Sequence, residues 1–351
     1  MIAHLLEPWL APLFGAFGGV ILGLAARLGR FCTLGAVEDH LYGNSDHRLR
    51  MCGLAIGVAT LTSFGLAGAG YADLASSVYL APGWNPAAHV VGGGLFGVGM
   101  ALAGNCGFGA LARLGGGDLR AFVIVLVMGI SAYVVMSGPL AFLRLRIFPP
   151  DLIQTAGPAG YAHAAAAALG VPVHLAGILS GIAVVIVSIA RRSFRAERGM
   201  VLWAIAVGLA VTYGWVASTR LAGETFGAVE IQSYTFSAPL GESILFAMRS
   251  TGTAMTFAVG GVVGVWTGAL VGSLIKGHFR WEACEDPREL RRLIFGAMLM
   301  GSGAVIAGGC TIGQGISAFS VLSYGAPLTL AGIYVGASLG LRTLIAGFNA
   351  A

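Results

Sequence analysis

Nine long apolar segments constrain the fold of this chain more than any other feature of its sequence. None of them contains more than one charged residue, and most have the length of about 20 residues that an α-helix needs to cross a hydrocarbon core about 30 Å thick. The segments are residues 10–28, 51–70, 87–104, 121–143, 173–190, 200–217, 252–275, 293–308 and 326–348. They predict an all-α polytopic membrane protein with about nine transmembrane helices.

The composition argues against a soluble protein and against a nucleic-acid-binding one. Of the 351 residues, 57% are hydrophobic and 10% are charged, and the mean hydropathy is +0.84, which lies far outside the range of soluble domains. The basic residues behind the net charge of +5 are scattered through short loops and form no stripe with interleaved aromatic residues. We therefore expect a lipid bilayer around the protein and no nucleic-acid partner.

The distribution of positive charge predicts the orientation in the membrane. If the nine segments alternate in direction, sixteen of the twenty Lys and Arg residues fall on one side. Cytoplasmic loops carry the excess of positive charge in membrane proteins. We therefore expect a periplasmic N-terminus and a cytoplasmic C-terminus.

Two similar glycine-rich segments predict an internal repeat. AGNCGFG (103–109) and AGGCTIG (307–313) each end an apolar run, and alternation of the nine segments places them on opposite sides of the membrane. Inverted repeats of this kind are typical of transporters with a central site. We expect one transmembrane domain over residues 1–351, with pseudo-repeats at about 10–143 and 200–348 joined by a connecting helix at 173–190.

Two further segments extend the repeat upstream. GRFCTLGAVEDH (29–40) follows the first apolar run, and TFSAPLGESILFAMRS (235–250) follows the sixth. Cys32 precedes Cys106 by 74 residues and Ser237 precedes Cys310 by 73, so we expect Ser237 to be the counterpart of Cys32. Each segment is too short to cross the bilayer, which predicts half-helices or re-entrant loops that converge on the centre.

The glycine breaks are the predicted site. Backbone that leaves a helix at membrane depth must be buried in protein or line a polar cavity, and a helix that begins there directs free N–H groups towards an anion. The predicted transmembrane segments contain almost no charged residues, so neutral thiols and backbone amides are the polar groups that remain. The predicted substrate-binding and translocation residues are Cys32, Cys106, Cys310, Gly104, Gly109, Gly308, Gly309, Thr311, Gly313 and Ser237.

The other cysteines and the regularly spaced glycines have a simpler, structural interpretation. Cys52 and Cys284 lie outside the glycine breaks, and a free cysteine often packs as a small hydrophobic residue. Glycines spaced four apart in the first and seventh segments indicate close helix packing. The chain has no C-x-x-C pair and no histidine at ligand spacing from a cysteine, so we expect no metal site, no cofactor and no catalytic residues.

GRFC (29–32), GMALAGNCGFG (99–109) and GCTIGQG (309–315) resemble the YeeE/YedE family of inner-membrane transporters, which includes thiosulfate permeases. The resemblance implies a location in the bacterial inner membrane and an hourglass-shaped bundle with inverted halves. It also implies that three cysteines pass thiosulfate inward through S–H contacts, and that a soluble sulfur-carrier protein of the TusA-like or YeeD type is a partner on the cytoplasmic side.

The resemblance has one departure, at Asn105 and Phe108, where many members have Gly before the cysteine and small residues after it. The leading hypothesis is uptake of thiosulfate, or of a similar reduced-sulfur anion, by a relay along cysteine thiols. One alternative is a transporter of another sulfur or selenium compound. The other is a membrane thiol enzyme that exchanges sulfur through the same cysteines.

Overall fold

A computed structural model describes residues 2–155, 157–225, 229–284 and 286–349. This part of the chain forms fifteen α-helices, one short 3₁₀ turn, one π-helical turn and a two-stranded antiparallel sheet. The helices are α1 (Ile2–Leu28), α2 (Thr33–Leu41), α3 (His47–Gly68), α4 (Pro86–Ala103), α5 (Gly107–Leu114), α6 (Leu119–Met136), α7 (Ala141–Ile147), α8 (Tyr161–Leu169), α9 (Val173–Ile189), α10 (Arg192–Ala196), α11 (Arg198–Glu224), α12 (Ala238–Arg249), α13 (Phe257–Ile275), α14 (Pro287–Ile306) and α15 (Gly325–Asn349). The strands are β1 (Gly83–Trp84) and β2 (Ile153–Gln154). The predicted all-α polytopic class is confirmed.

Each of the nine predicted segments corresponds to a helix, although not all nine helices qualify as membrane spans on their own. Within the described residues, seven helices are long and apolar enough to cross a membrane, and the bent pair α8–α9 would make an eighth. Helix α14 does not qualify, because its first turns carry Arg288, Glu289, Arg291 and Arg292. It packs against α4 and α6, and its Phe295 and Met298 side chains are exposed. A ninth span therefore stays a prediction.

Helix α6 ends earlier than the predicted segment 121–143. It stops at Met136, and the N–H of Ser137 donates the last helical hydrogen bond to the Tyr133 carbonyl at 3.1 Å, just before Gly138 and Pro139. The residue before a proline is biased away from helical backbone, so the apolar run continues as a turn and then as the separate helix α7. The end of α6 cannot be predicted from apolar composition alone.

Close glycine contacts define the directions of the long helices. Gly15, Gly19 and Gly23 of α1 lie against the backbone of α13 at successively higher residue numbers, so the two helices are parallel. Small residues allow such close approach between membrane helices. If successive membrane segments alternate in direction, the first and seventh segments run in the same direction, as observed. The prediction that these glycines serve close helix packing is confirmed.

Helices α4 and α14 cross at the centre through a reciprocal set of glycines. Gly92 lies against Gly303, and Gly99 lies against Gly296. The register that places Cys106 on Cys310 pairs Gly92 with Gly296 and Gly99 with Gly303. Each contact is therefore the image of the other, as in a two-fold interface, where residue i meets residue j and j meets i.

The other contacts between long helices also occur in equivalent pairs, as the repeat predicts. Helix α1 contacts α13 as α11 contacts α3, and α4 contacts α15 as α14 contacts α6. Helix α9 packs against α3 and lies outside this correspondence. From these contacts we propose that a pseudo-two-fold axis in the membrane plane relates the two halves, with α9 as the connecting helix.

Short helices begin directly after the predicted breaks. Helix α2 follows Cys32, α5 follows Cys106 and α12 follows Ser237. After Cys310 the chain forms a π-helical turn, Gly313–Ala318, instead of the ordinary short helix that the repeat predicts. The N–H of Ser317 donates to the carbonyl of Ile312 at 2.9 Å, which is the i→i+5 pattern of a π-turn, and such turns are frequent at functional sites.

Candidate functional site

Cys32, Cys106 and Cys310 share one local geometry. In each case the residue three positions later is glycine, and the Sγ atom accepts a hydrogen bond from its N–H at 3.4 Å. A side chain just before a helix satisfies an N–H group of the first turn in this way. The C-x-x-G spacing, which our sequence analysis did not use, is the signal that identifies the three positions as equivalent.

This geometry orients the thiols. Because each sulfur accepts a hydrogen bond from the backbone, its own S–H group is free to donate in another direction. The positive end of a short helix also lies beside the sulfurs of Cys32 and Cys106. The three thiols are thus oriented in the same way by their own backbone.

Gly104 and Gly308 form the breaks before the two central cysteines. Their φ angles are +72° and +73°, in the left-handed region that residues with a Cβ atom rarely adopt. They occupy equivalent positions at the ends of α4 and α14, and both are exposed, whereas Cys106 and Cys310 are 1% exposed. At each break the glycine is therefore accessible from a cavity, described below, and the cysteine two residues later is buried in the interior.

The central cysteines lie in a buried region, which we call the constriction. The side chain of Thr311, which follows Cys310, lies next to the Cys106 thiol. The N–H of Phe236 donates to the Sγ atom of Cys310 at 3.4 Å, and the rings of Phe236 and Phe108 are 5.4 Å apart. Apolar rings and buried thiols thus meet where the two halves converge, and Phe108 contributes to the narrowing.

Ser237 is buried and follows directly after Phe236. It occupies the residue before α12, as Cys32 occupies the residue before α2. Unlike Cys32, its side chain makes no capping hydrogen bond. Its place beside the Cys310 contact supports the predicted correspondence, and its role in translocation stays a prediction.

Two cavities flank the constriction. The first, of about 320 Å³, is the basic cavity, and Cys32, Gly104 and Asn105 form its inner wall. Its cationic lining residues are Arg27, Arg30, Arg48, Arg113 and Lys276. The second, of about 280 Å³, is the aromatic cavity, and Gly308 and Gln314 form its inner wall. Its other lining residues include Tyr79, Trp84, His89, Arg144 and Tyr324.

Sequence reasoning missed two polar residues of the site, Asn105 and Gln314. Both are 3% exposed. Within the described chain, neither amide atom of Asn105 nor Oε1 of Gln314 has a hydrogen-bond partner. The other amide atom of Gln314, Nε2, donates to the Gly308 carbonyl at 3.1 Å. A buried polar group without a partner costs about 1–3 kcal/mol, so a cluster of them beside two thiols indicates groups that meet a ligand.

Asn105→Leu is expected to raise stability and to lower function. Replacing the unpartnered amide with an apolar group of similar size removes a cost of about 1–3 kcal/mol, so the melting temperature in detergent rises while the initial rate of anion uptake falls. Asn85→Leu is the matched control, because Asn85 is buried with its amide bonded to Pro149 and Ala88. That variant is expected to be less stable. A destabilised Asn105→Leu protein would contradict the assignment.

The remaining cysteines do not share the C-x-x-G geometry, although Cys52 lies near Cys32 and Cys106. Cys52 is half-buried on α3 and the Cys284 thiol donates to the Asp286 carbonyl at 3.4 Å. Neither lines the two cavities. Across the described ranges, no group of three or more His, Cys, Asp and Glu side chains has the arrangement of a metal site.

The similarity of this chain to known proteins extends over every predicted site residue. A family model described as sulphur transport matches residues 28–339. The thiosulfate transporter TsuA of Spirochaeta thermophila is 24% identical over 313 residues, which cover 86% of this chain and 89% of that protein. TsuA of Escherichia coli is 24% identical over 324 residues, which cover 89% of this chain and 88% of that protein. The family match includes all three C-x-x-G segments.

Proposed function

The chain belongs to the sulphur transport family, as the YeeE/YedE resemblance predicted, and on this premise we propose that it takes up thiosulfate or a similar reduced-sulfur anion across the membrane. One observation supports the proposal most strongly. Three thiols with the same backbone hydrogen bond follow one another between two cavities, and two of them are buried in the constriction. The similarity to two thiosulfate transporters agrees with it.

The proposed path runs from the aromatic cavity through the constriction to the basic cavity. The anion meets Cys310, then Cys106, and then Cys32 at the wall of the basic cavity. A thiol S–H is a weak donor with a polarizable sulfur, so each contact holds the anion and then releases it, as conduction requires. Gly109, Gly309, Gly313, Thr311 and Ser237 belong to this path as neutral groups around the thiols.

The proposed orientation follows the charge distribution. The basic cavity lies on the side that carries sixteen of the twenty Lys and Arg residues, which the positive-inside rule assigns to the cytoplasm. Import then proceeds from the periplasm across the bacterial inner membrane. The proposed soluble TusA-like or YeeD-type carrier meets the transported anion at the basic cavity, where Cys32 is half-buried and lines the wall.

Uptake of sulfur-35 thiosulfate into vesicles tests the proposal directly. We expect saturable uptake into lipid vesicles that contain only this protein, above the level of protein-free vesicles, and competition by unlabelled thiosulfate. Selenite and sulfite in parallel competition assays distinguish the substrate from related compounds. Uptake equal to that of empty vesicles would show that the function is wrong or requires a partner, and addition of the carrier protein separates these two outcomes.

We propose transport without chemical conversion, since the relay needs hydrogen bonds only. A membrane thiol enzyme that uses the same cysteines would leave a persulfide or a mixed disulfide on one of them. Mass spectrometry of the protein after exposure to thiosulfate is expected to show unmodified Cys32, Cys106 and Cys310. A sulfur adduct that forms and decays at the rate of turnover would favour the enzyme.

A further inference from the structure

The described lining of the basic cavity contains five cationic side chains and no carboxylate, although the Glu38 carboxylate lies near Arg48 and Arg113. Arg30, Arg113 and Lys276 line it, and no ion pair joins any of them to a carboxylate of the described residues. Arg48 is the exception in the lining, because its Nε atom lies 3.2 Å from a carboxylate oxygen of Asp39. Like charges that share a cavity repel one another, so an anion among them removes a cost as well as gaining attraction.

Part of the positive charge is held in place. The Nε atom of Arg27 donates to the Ser273 hydroxyl at 2.7 Å, and the ammonium group of Lys276 donates to the carbonyls of Arg27 and Leu28 at 3.2 Å. Arg30 has a φ of +55°, a conformation that non-glycine residues seldom adopt and that is enriched at ligand sites. The cations are thus positioned before any ligand arrives, which lowers the entropy cost of binding.

Asn105 gives an independent indication of a ligand. Its carboxamide is 3% exposed, lines the same cavity and has no partner among the described residues. A neutral NH₂ donor among guanidinium groups fits the oxygens of a tetrahedral oxyanion, which arginine binds through paired N–H groups. The cavity volume of about 320 Å³ accommodates such an anion with part of its hydration shell.

The described lining of the aromatic cavity has no comparable set of cationic side chains. It contains one arginine, Arg144, whose guanidinium group already donates to the carbonyls of Val135 and Met136. Gly104 and Gly308 open onto the two cavities from equivalent breaks, so the cavities are the two ends of one path. The ends therefore differ in their attraction for a dianion.

We propose that the basic cavity is a binding site for divalent tetrahedral oxyanions, sulfate as well as thiosulfate, and that an anion held there inhibits transport from the opposite side. The proposal deepens the proposed function and rests on it for the inhibition. Because Cys32, Gly104 and Asn105 form both the wall of the cavity and the end of the path, an occupied cavity blocks release. Accumulated oxyanion then slows further uptake.

Binding is tested on the purified protein, independently of transport. We expect sodium sulfate to raise the melting temperature in detergent with a saturating dependence, and sodium chloride at equal ionic strength to have little effect. Arg113→Gln is expected to raise the half-maximal sulfate concentration about tenfold through loss of charge-assisted hydrogen bonds. Arg113→Lys, which keeps the charge but loses the paired N–H groups, is expected to give an intermediate value. Arg195→Gln, which removes an exposed charge outside the cavity, is expected to stay near the wild-type value. Equal stabilisation by chloride, or an unchanged Arg113→Gln response, would overturn the site.

Inhibition is tested in right-side-out membrane vesicles, whose lumen corresponds to the cytoplasm. We expect vesicles loaded with sulfate to take up labelled thiosulfate several-fold more slowly than vesicles loaded with gluconate, and Arg113→Gln to remove most of this difference. A third set of vesicles is loaded with unlabelled thiosulfate, and their net uptake of thiosulfate is measured. Comparison with the sulfate-loaded vesicles shows whether internal thiosulfate inhibits uptake as internal sulfate does. Absence of uptake under every load would contradict the proposed function and leave the binding result to decide the site. Uptake that is insensitive to internal sulfate in the wild type would contradict the inhibition.

Discussion

Thiosulfate uptake is expected to fall about 10- to 100-fold when Cys106 or Cys310 is replaced by alanine, because one hydrogen bond to a charged group is worth about 1.5–3 kcal/mol. Both thiols are 1% exposed, so bulk solvent does not reach them to replace the lost S–H donor. Initial rates of labelled thiosulfate uptake, corrected for the amount of protein in the membrane, measure the effect. Serine variants keep a donor at these positions and are expected to retain more activity than the alanine variants.

Cys284→Ala is the control for this experiment. Cys284 lies in the loop before α14, its thiol donates to the Asp286 carbonyl, and it does not line the two cavities, so its removal deletes a sulfur and leaves the path unchanged. Sulfur-limited growth of a host without its own thiosulfate uptake provides a second readout. Normal growth on the Cys106→Ala or Cys310→Ala protein would rule out the relay while leaving membership of the family intact.

Gly97→Leu is expected to prevent the bundle from assembling. A Cβ atom at Gly97 would meet the carbonyl oxygen of Ile333 on α15, and this neighbour is backbone that cannot move aside as a side chain can. Overpacking of a core commonly costs about 1–3 kcal/mol and occasionally more, and a leucine in this interface lies at the upper end. The amount of monodisperse protein after detergent extraction, together with its melting temperature, measures the effect.

Gly94→Leu is the control for that change, on the same helix and with the same substitution. A Cβ atom at Gly94 meets nothing within 4 Å, so we expect a yield and a melting temperature near those of the wild type. If Gly94→Leu and Gly97→Leu were equally well folded, the α4–α15 contact would not be the close glycine packing described above.

The segments and breaks of this protein were predictable because their signals are local. An apolar run and its glycine-rich end occupy neighbouring residues, so the sequence was sufficient to predict the helices that end at Gly104 and Gly308 and the short helix that begins after Cys106. The boundary at Met136 was missed because hydropathy averages over a turn. The π-turn after Cys310 was missed because its hydrogen bonds depend on packing, including the bond from the Ser317 hydroxyl to the Tyr234 carbonyl at 2.7 Å.

The polar part of the site was less predictable. Asn105 and Gln314 stand within the quoted motifs, but an amide is a good ligand group only if the fold leaves it buried and without a partner, and that depends on every neighbouring segment. The cysteines were singled out by their glycine context. The amides had no such context in the sequence.

The sequence by itself determined the class of protein, the approximate positions of its helices and the residues at which the backbone leaves them, since chain length, hydropathy and glycine content act within one segment. Only the tertiary structure decided which groups meet. It brought the N–H of Phe236 to the sulfur of Cys310, placed the side chain of Thr311 beside Cys106, and gathered five cationic side chains on one side of the constriction. These contacts join segments far apart in the chain, and their existence depends on helix packing, which no single segment encodes.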